Sequence, residues 1–157
     1  MSNVYDKLKE LNITLPEPPQ RAGLYTQCLE FGKNLVYISG CGPALNGVDK
    51  ILGKLGKLSI EEGQEAAKYC ALNALAVMHR DLGDLNRIKG FVKSLTFVAS
   101  ENDFYEQPKV ANGASALLID LFGVGRGQPA RSAIGVNVLP GNIPVEIEYL
   151  VELYDNE

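Results

Sequence analysis

Val4, Leu8 and Leu11 stand at helical spacing with charged residues between them, which predicts a short helix at the start of the chain. The segment Leu15-Pro16-Glu17-Pro18-Pro19 ends it, because proline removes backbone donors and pushes its predecessor into extended geometry. From Leu24 to Gly40 two strand-like runs flank Gly32-Lys33-Asn34, a sequence suited to a tight hairpin. The glycines between Gly40 and Gly56 mark a long irregular loop. Ser59 and Glu62 read as a capping box, and an alanine-rich run from Ala66 to Leu82 follows with one broad apolar face and Gly83 as its stop. A strand is expected over Ile88–Val98, a second helix from about Lys109 to Phe122, and a flexible hinge over Gly123–Pro129. Two last strands, Ala133–Leu139 and Val145–Leu153, are joined by Pro140-Gly141-Asn142 and read as a hairpin. In the second of these, Val145, Ile147 and Tyr149 alternate with Glu146, Glu148 and Leu150.

The predicted order is β-β-α-β-α-β-β behind an N-terminal arm over residues 1–20. Hairpins at both ends argue against an all-parallel, doubly wound sheet and for an α+β fold, a mixed sheet with two helices on one face. The other face would then be bare. Covering it with copies of the same chain predicts a closed homo-oligomer.

Length and composition sharpen this little. A chain of 157 residues with 46% hydrophobic and 22% charged residues fits one globular domain, 1–157. The formal net charge of −4 argues against a nucleic-acid backbone as partner. Cys28, Cys41 and Cys70 are scattered and odd in number, which argues against a disulfide framework or zinc site and for free thiols in the cytoplasm. No run approaches the roughly 20 apolar residues of a membrane span.

Few residues can carry chemistry. His79 is the sole histidine and falls at a helix end, so no Ser-His or Cys-His pair and no metal site is expected. The informative stretch is Pro129-Ala130-Arg131-Ser132-Ala133, Leu139-Pro140 and Val145-Glu146-Ile147-Glu148. It places an arginine on one strand of the expected hairpin and carboxylates on the other. That arrangement is either a cross-strand ion pair on a sheet edge or a carboxylate-binding arginine beside an acid-base residue.

This stretch resembles the C-terminal signature of the RidA/YjgF-like reactive intermediate deaminases, often labelled endoribonuclease L-PSP. Gly23-Leu24-Tyr25-Thr26-Gln27 and Val36-Tyr37-Ile38-Ser39-Gly40 resemble two further family segments, and the likeness runs from about Ala22 to Leu150. The N-terminal helix, the Gly47–Gly56 loop and Val110-Ala111-Asn112-Gly113-Ala114-Ser115 are similar to a longer subgroup of the family. The resemblance implies a chorismate-mutase-like α+β fold and a homotrimer with clefts between subunits. It implies hydrolytic deamination of 2-imino or 2-enamino acids, such as 2-aminoacrylate, to 2-keto acids and ammonia, with no cofactor. Arg131 would bind the substrate carboxylate and Glu146 would position or activate water, while Tyr25, Ser39 and the backbone near Cys41 would contact substrate. Cys41 stands where the family usually has glutamine, either as a thiol in the cleft or as a small filler. Two alternatives stand beside this reading: a non-catalytic member that binds a small carboxylate or a partner, and, more distantly, RNA cleavage or translation inhibition.

Overall fold

The computed structural model describes residues 3–155. Helix α1 (Val4–Glu10) opens with the Asn3 side chain accepting from the Tyr5 amide. Its inner residues Val4 and Leu8 are buried, and the Val4 amide donates to Asn86. Strands β1 (Cys28–Phe31) and β2 (Leu35–Cys41) form the expected antiparallel hairpin, with Gly32 in a left-handed conformation at the turn.

Helix α2 (Ile60–Leu82) starts with the predicted capping box: Glu62 N–H donates to Ser59 Oγ at 3.1 Å, and Ser59 N–H donates to Glu62 Oε2 at 2.8 Å. Strand β3 (Ile88–Ala99), helix α3 (Gln107–Phe122), the single turn α4 (Val124–Gly127), strand β4 (Ala130–Val136) and strand β5 (Val145–Leu153) complete the order. Two glycines set how closely α2 and α3 cross. A Cβ at Gly113 would overlap the backbone carbonyl of Gln64, and one at Gly63 would press on Leu55 and Val110.

The five strands lie in the order β1-β2-β5-β3-β4. The last strand of the chain is therefore the middle of the sheet, antiparallel to β2 on one side and to β3 on the other. Its alternation is the predicted one: Val145, Ile147 and Tyr149 are buried beneath the helices, while Glu146, Glu148 and Leu150 lie on the opposite face. On that face Leu29, Phe31, Tyr37, Val92 and Ile134 are each more than 40% exposed.

Two expectations are corrected. The C-terminal strands are not a hairpin: β4 pairs in parallel with β3, with Arg131 opposite Ser94, and β3 separates it from β5. The unit β3-α3-β4 is thus a parallel crossover, which needs an intervening helix. The Gly123–Pro129 stretch is no hinge. Arg126 in α4 donates to the Ile88 carbonyl at 2.6 Å and lies over the rings of Phe122 and Tyr154. The glycine-rich loop before α2 is irregular as expected, and Leu55, fully buried, anchors it by backbone hydrogen bonds with Ala99 and Glu101.

Candidate functional site

Strand β2 breaks its register against β5 between Ile38 and Cys41, and this irregularity builds a small site. Ser39 is turned toward the segment before β1: its hydroxyl donates to the Thr26 carbonyl at 2.6 Å and its amide to the Gln27 carbonyl at 2.9 Å. Next to it, Gly40 has no side chain where the Glu146 carboxyl group lies. A Cβ there would overlap Glu146 Oε1. Burial raises the Glu146 pKa above the ordinary carboxylate value, and the neighbouring Glu148 charge adds to the rise. Glu148 itself accepts from the Tyr37 hydroxyl at 2.7 Å. Ser39, Gly40 and Glu146 thus share one neighbourhood, and Tyr25, partly exposed, is adjacent to Ser39's partner Thr26.

Cys41 belongs to this segment only through its backbone. Its thiol faces the core, 4% exposed, and burial pushes its pKa up to about 12. A thiolate nucleophile is the wrong description of such a group, whose reactivity needs a lowered value and access. Cys28, half-buried, is likewise pushed up to about 11. The loop after Cys41 is fixed from below: the buried Asn73 of α2 donates to the carbonyls of Gly42 and Ala44 at 2.8 and 2.7 Å.

Arg131 stands apart from this cluster. It lies on the helix-facing side of the edge strand β4, where it donates to Asn112 Oδ1 at 2.8 Å, Ser115 Oγ at 3.0 Å and the Pro108 carbonyl at 3.2 Å, all on α3. Among the described residues it has no carboxylate partner, so the cross-strand ion pair with Glu146 or Glu148, one of the two readings of the sequence, does not form. The two α3 side chains that hold it appear in the sequence only within a family-like segment, with nothing to link them to Arg131. Asn112 and Ser115 are three apart on one helix face, a spacing that is informative only once β4 is known to run beside α3. Gly40 was visible only as part of a motif, because its role depends on Glu146 lying across from it.

His79 lies in no group of three or more His, Cys, Asp or Glu side chains that could hold a metal ion among the described residues. Its Nδ1 is 3.0 Å from the Tyr5 hydroxyl, with the two rings edge to face, so it ties α1 to α2. No helix among the described residues is long and apolar enough to cross a membrane.

A mixed five-stranded sheet with two long helices on one face is the α+β, chorismate-mutase-like architecture. The chain belongs to the family described as Endoribonuclease L-PSP, the RidA/YjgF family, whose model matches residues 16–153. It is 42% identical over 147 residues to "Protein TCP17" of Trypanosoma cruzi, covering 93% of this chain and 91% of that protein. It is 29% identical over 140 residues to a 2-iminobutanoate/2-iminopropanoate deaminase of Dermatophagoides farinae, covering 88% of this chain and 93% of the relative. Among solved structures, the protein Atu1372 of Agrobacterium tumefaciens, described as of unknown function, superimposes with a TM-score of 0.88 at 38% identity. The match covers 96% of this chain and 92% of that one.

Proposed function

We propose that this protein is a hydrolytic deaminase of 2-imino and 2-enamino acids, working without a cofactor as a cytoplasmic homotrimer. The observation that carries the reading is Glu146: a carboxyl group lodged against Gly40, whose pKa burial raises above that of a free glutamate. Such a group can take a proton from water and return it to a leaving nitrogen. Family membership and the deaminase relative support the same class of reaction.

For 2-aminoacrylate, a proton added at the methylene carbon and one lost from nitrogen give the 2-imino acid. Water adds across the C=N bond at C2, with its proton moving to nitrogen. The hydroxyl proton of this carbinolamine then moves to nitrogen, the C–N bond breaks, ammonia leaves with the electron pair of that bond, and the C2=O bond of the keto acid forms. Arg131 holds the substrate carboxylate, Glu146 handles the proton, and Tyr25, Ser39 and the backbone at Cys41 line the cleft. Positioning accounts for much of the acceleration, since the imine is already electrophilic.

Within one copy Arg131 and Glu146 sit on opposite faces of the sheet with β3 between their strands, about 14 Å apart by strand spacing and rise. A small imino acid touching both therefore lies between copies. The exposed apolar residues of the open face support that assembly. The test is release of keto acid and ammonia from freshly generated 2-aminoacrylate and larger imino acids. Turnover by the wild type and its loss in Arg131→Ala is expected. A folded oligomer that turns over none of them would leave the alternative, a member of the family that only binds small carboxylates.

A further inference from the structure

We propose that Asn112 and Ser115 are positioning residues for Arg131, holding its guanidinium so that only the Nε–Nη2 edge is open to a carboxylate. This rests on the reading of Arg131 as the carboxylate clamp. A guanidinium has five N–H donors and can grip a carboxylate two-fold along either of two edges, Nη1–Nη2 or Nε–Nη2. In this protein Nη1 donates to both Asn112 Oδ1 and Ser115 Oγ. The end-on edge is closed. Nη2 gives one hydrogen to the Pro108 carbonyl, and Nε–H is left for a ligand.

The holders are suited to the task in two further ways. Ser115 donates its own hydroxyl hydrogen to the Ala111 carbonyl at 3.3 Å, so its oxygen faces Arg131 as an acceptor only. All three acceptors are neutral. An Asp or Glu at either position would orient the arginine equally well but would cancel the charge the ligand is to meet. The arginine is fixed in direction and left electrostatically unpaired. A long flexible side chain on an edge strand would otherwise lose rotamer entropy on binding.

The decisive measurement is calorimetric titration of the full chain with 2-oxobutanoate, a stable keto acid, and with its uncharged carboxamide. A hydrogen bond to a charged group is worth about ten-fold in affinity. Wild type should prefer the keto acid, and Arg131→Ala should abolish that preference. The double variant Asn112→Ala/Ser115→Ala should weaken keto-acid binding about ten-fold, and Ser115→Thr, which keeps the hydroxyl, should stay within about two-fold of wild type. Asn112→Asp should also weaken binding about ten-fold while its Tm holds or rises, a split that a purely structural contact would not produce. If the double variant and Asn112→Asp bind as wild type does while Arg131→Ala fails, the positioning role is overturned and the clamp stands. If Arg131→Ala binds like wild type, the clamp falls and the positioning role with it.

Discussion

At the scale of single residues, Glu146 makes a claim that needs no substrate. Its pKa is raised by burial first and by Glu148 second, so the native state holds this proton more tightly than the unfolded chain does. Below the ordinary carboxylate range, about 4.3 for glutamate, both states are protonated and the stabilising effect of the buried acid is fully present. As the pH rises through the raised value, the native state must ionise a desolvated group and that stability is lost. Glu146→Gln should therefore raise the Tm at pH 7, with the gain vanishing near pH 4, in thermal unfolding followed across that range. Glu146 and Arg131 were both legible in the sequence as chemistry-bearing residues. Their surroundings were not, because Gly40 and Ser115 act on them across strands and helices far apart along the chain. The Cys41 thiol shows the same limit: a motif places its backbone, while the pleat decides that its sulfur points inward.

At the scale of elements, the two long helices came through because each carries its own punctuation, Ser59 and Glu62 at one start and Gly83 and Gly123 at the two ends. Helix α3 begins at Gln107, two residues ahead of the expected start, since proline is tolerated in a first turn. The false hairpin has a physical cause. Gly141 and Asn142 do adopt left-handed conformations and do turn the chain. The same turn serves a connection that steps over one strand, and only the distant β3 decides between them. Where α2 and α3 cross, local preference and packing disagree. Alanine at position 113 would gain about 1 kcal/mol in helix propensity. It would also drive a methyl group into the Gln64 carbonyl, a backbone atom that cannot swing away, and overpacking of that kind costs about 1–3 kcal/mol. The net cost of about 0–2 kcal/mol means that Gly113→Ala should lower the Tm by up to about 8 °C, read by calorimetry.

At the scale of the whole molecule, the open face of the sheet carries Phe31, Tyr37 and Ile134 in a pattern that a lone copy would leave wet. The alternation in β5 already pointed to that face. For the proposed homotrimer, Ile134→Lys should shift the population toward monomers in light scattering after size exclusion, with the helix content kept in circular dichroism. On the proposed deaminase reading, which places Arg131 and Glu146 on opposite faces of one copy, the same variant should lose turnover in proportion to the oligomer lost.

The position of β5 has a bearing on how the protein is made. The hairpin of β1 and β2 and the crossover of β3, α3 and β4 do not pair with each other; each pairs only with β5. During synthesis the two halves emerge with their inner edges open and stay so until residues 145–153 leave the ribosome. The sheet closes in a single late event, and a nascent or prematurely terminated chain presents two unpaired strand edges to chaperones and proteases instead of a partly finished domain.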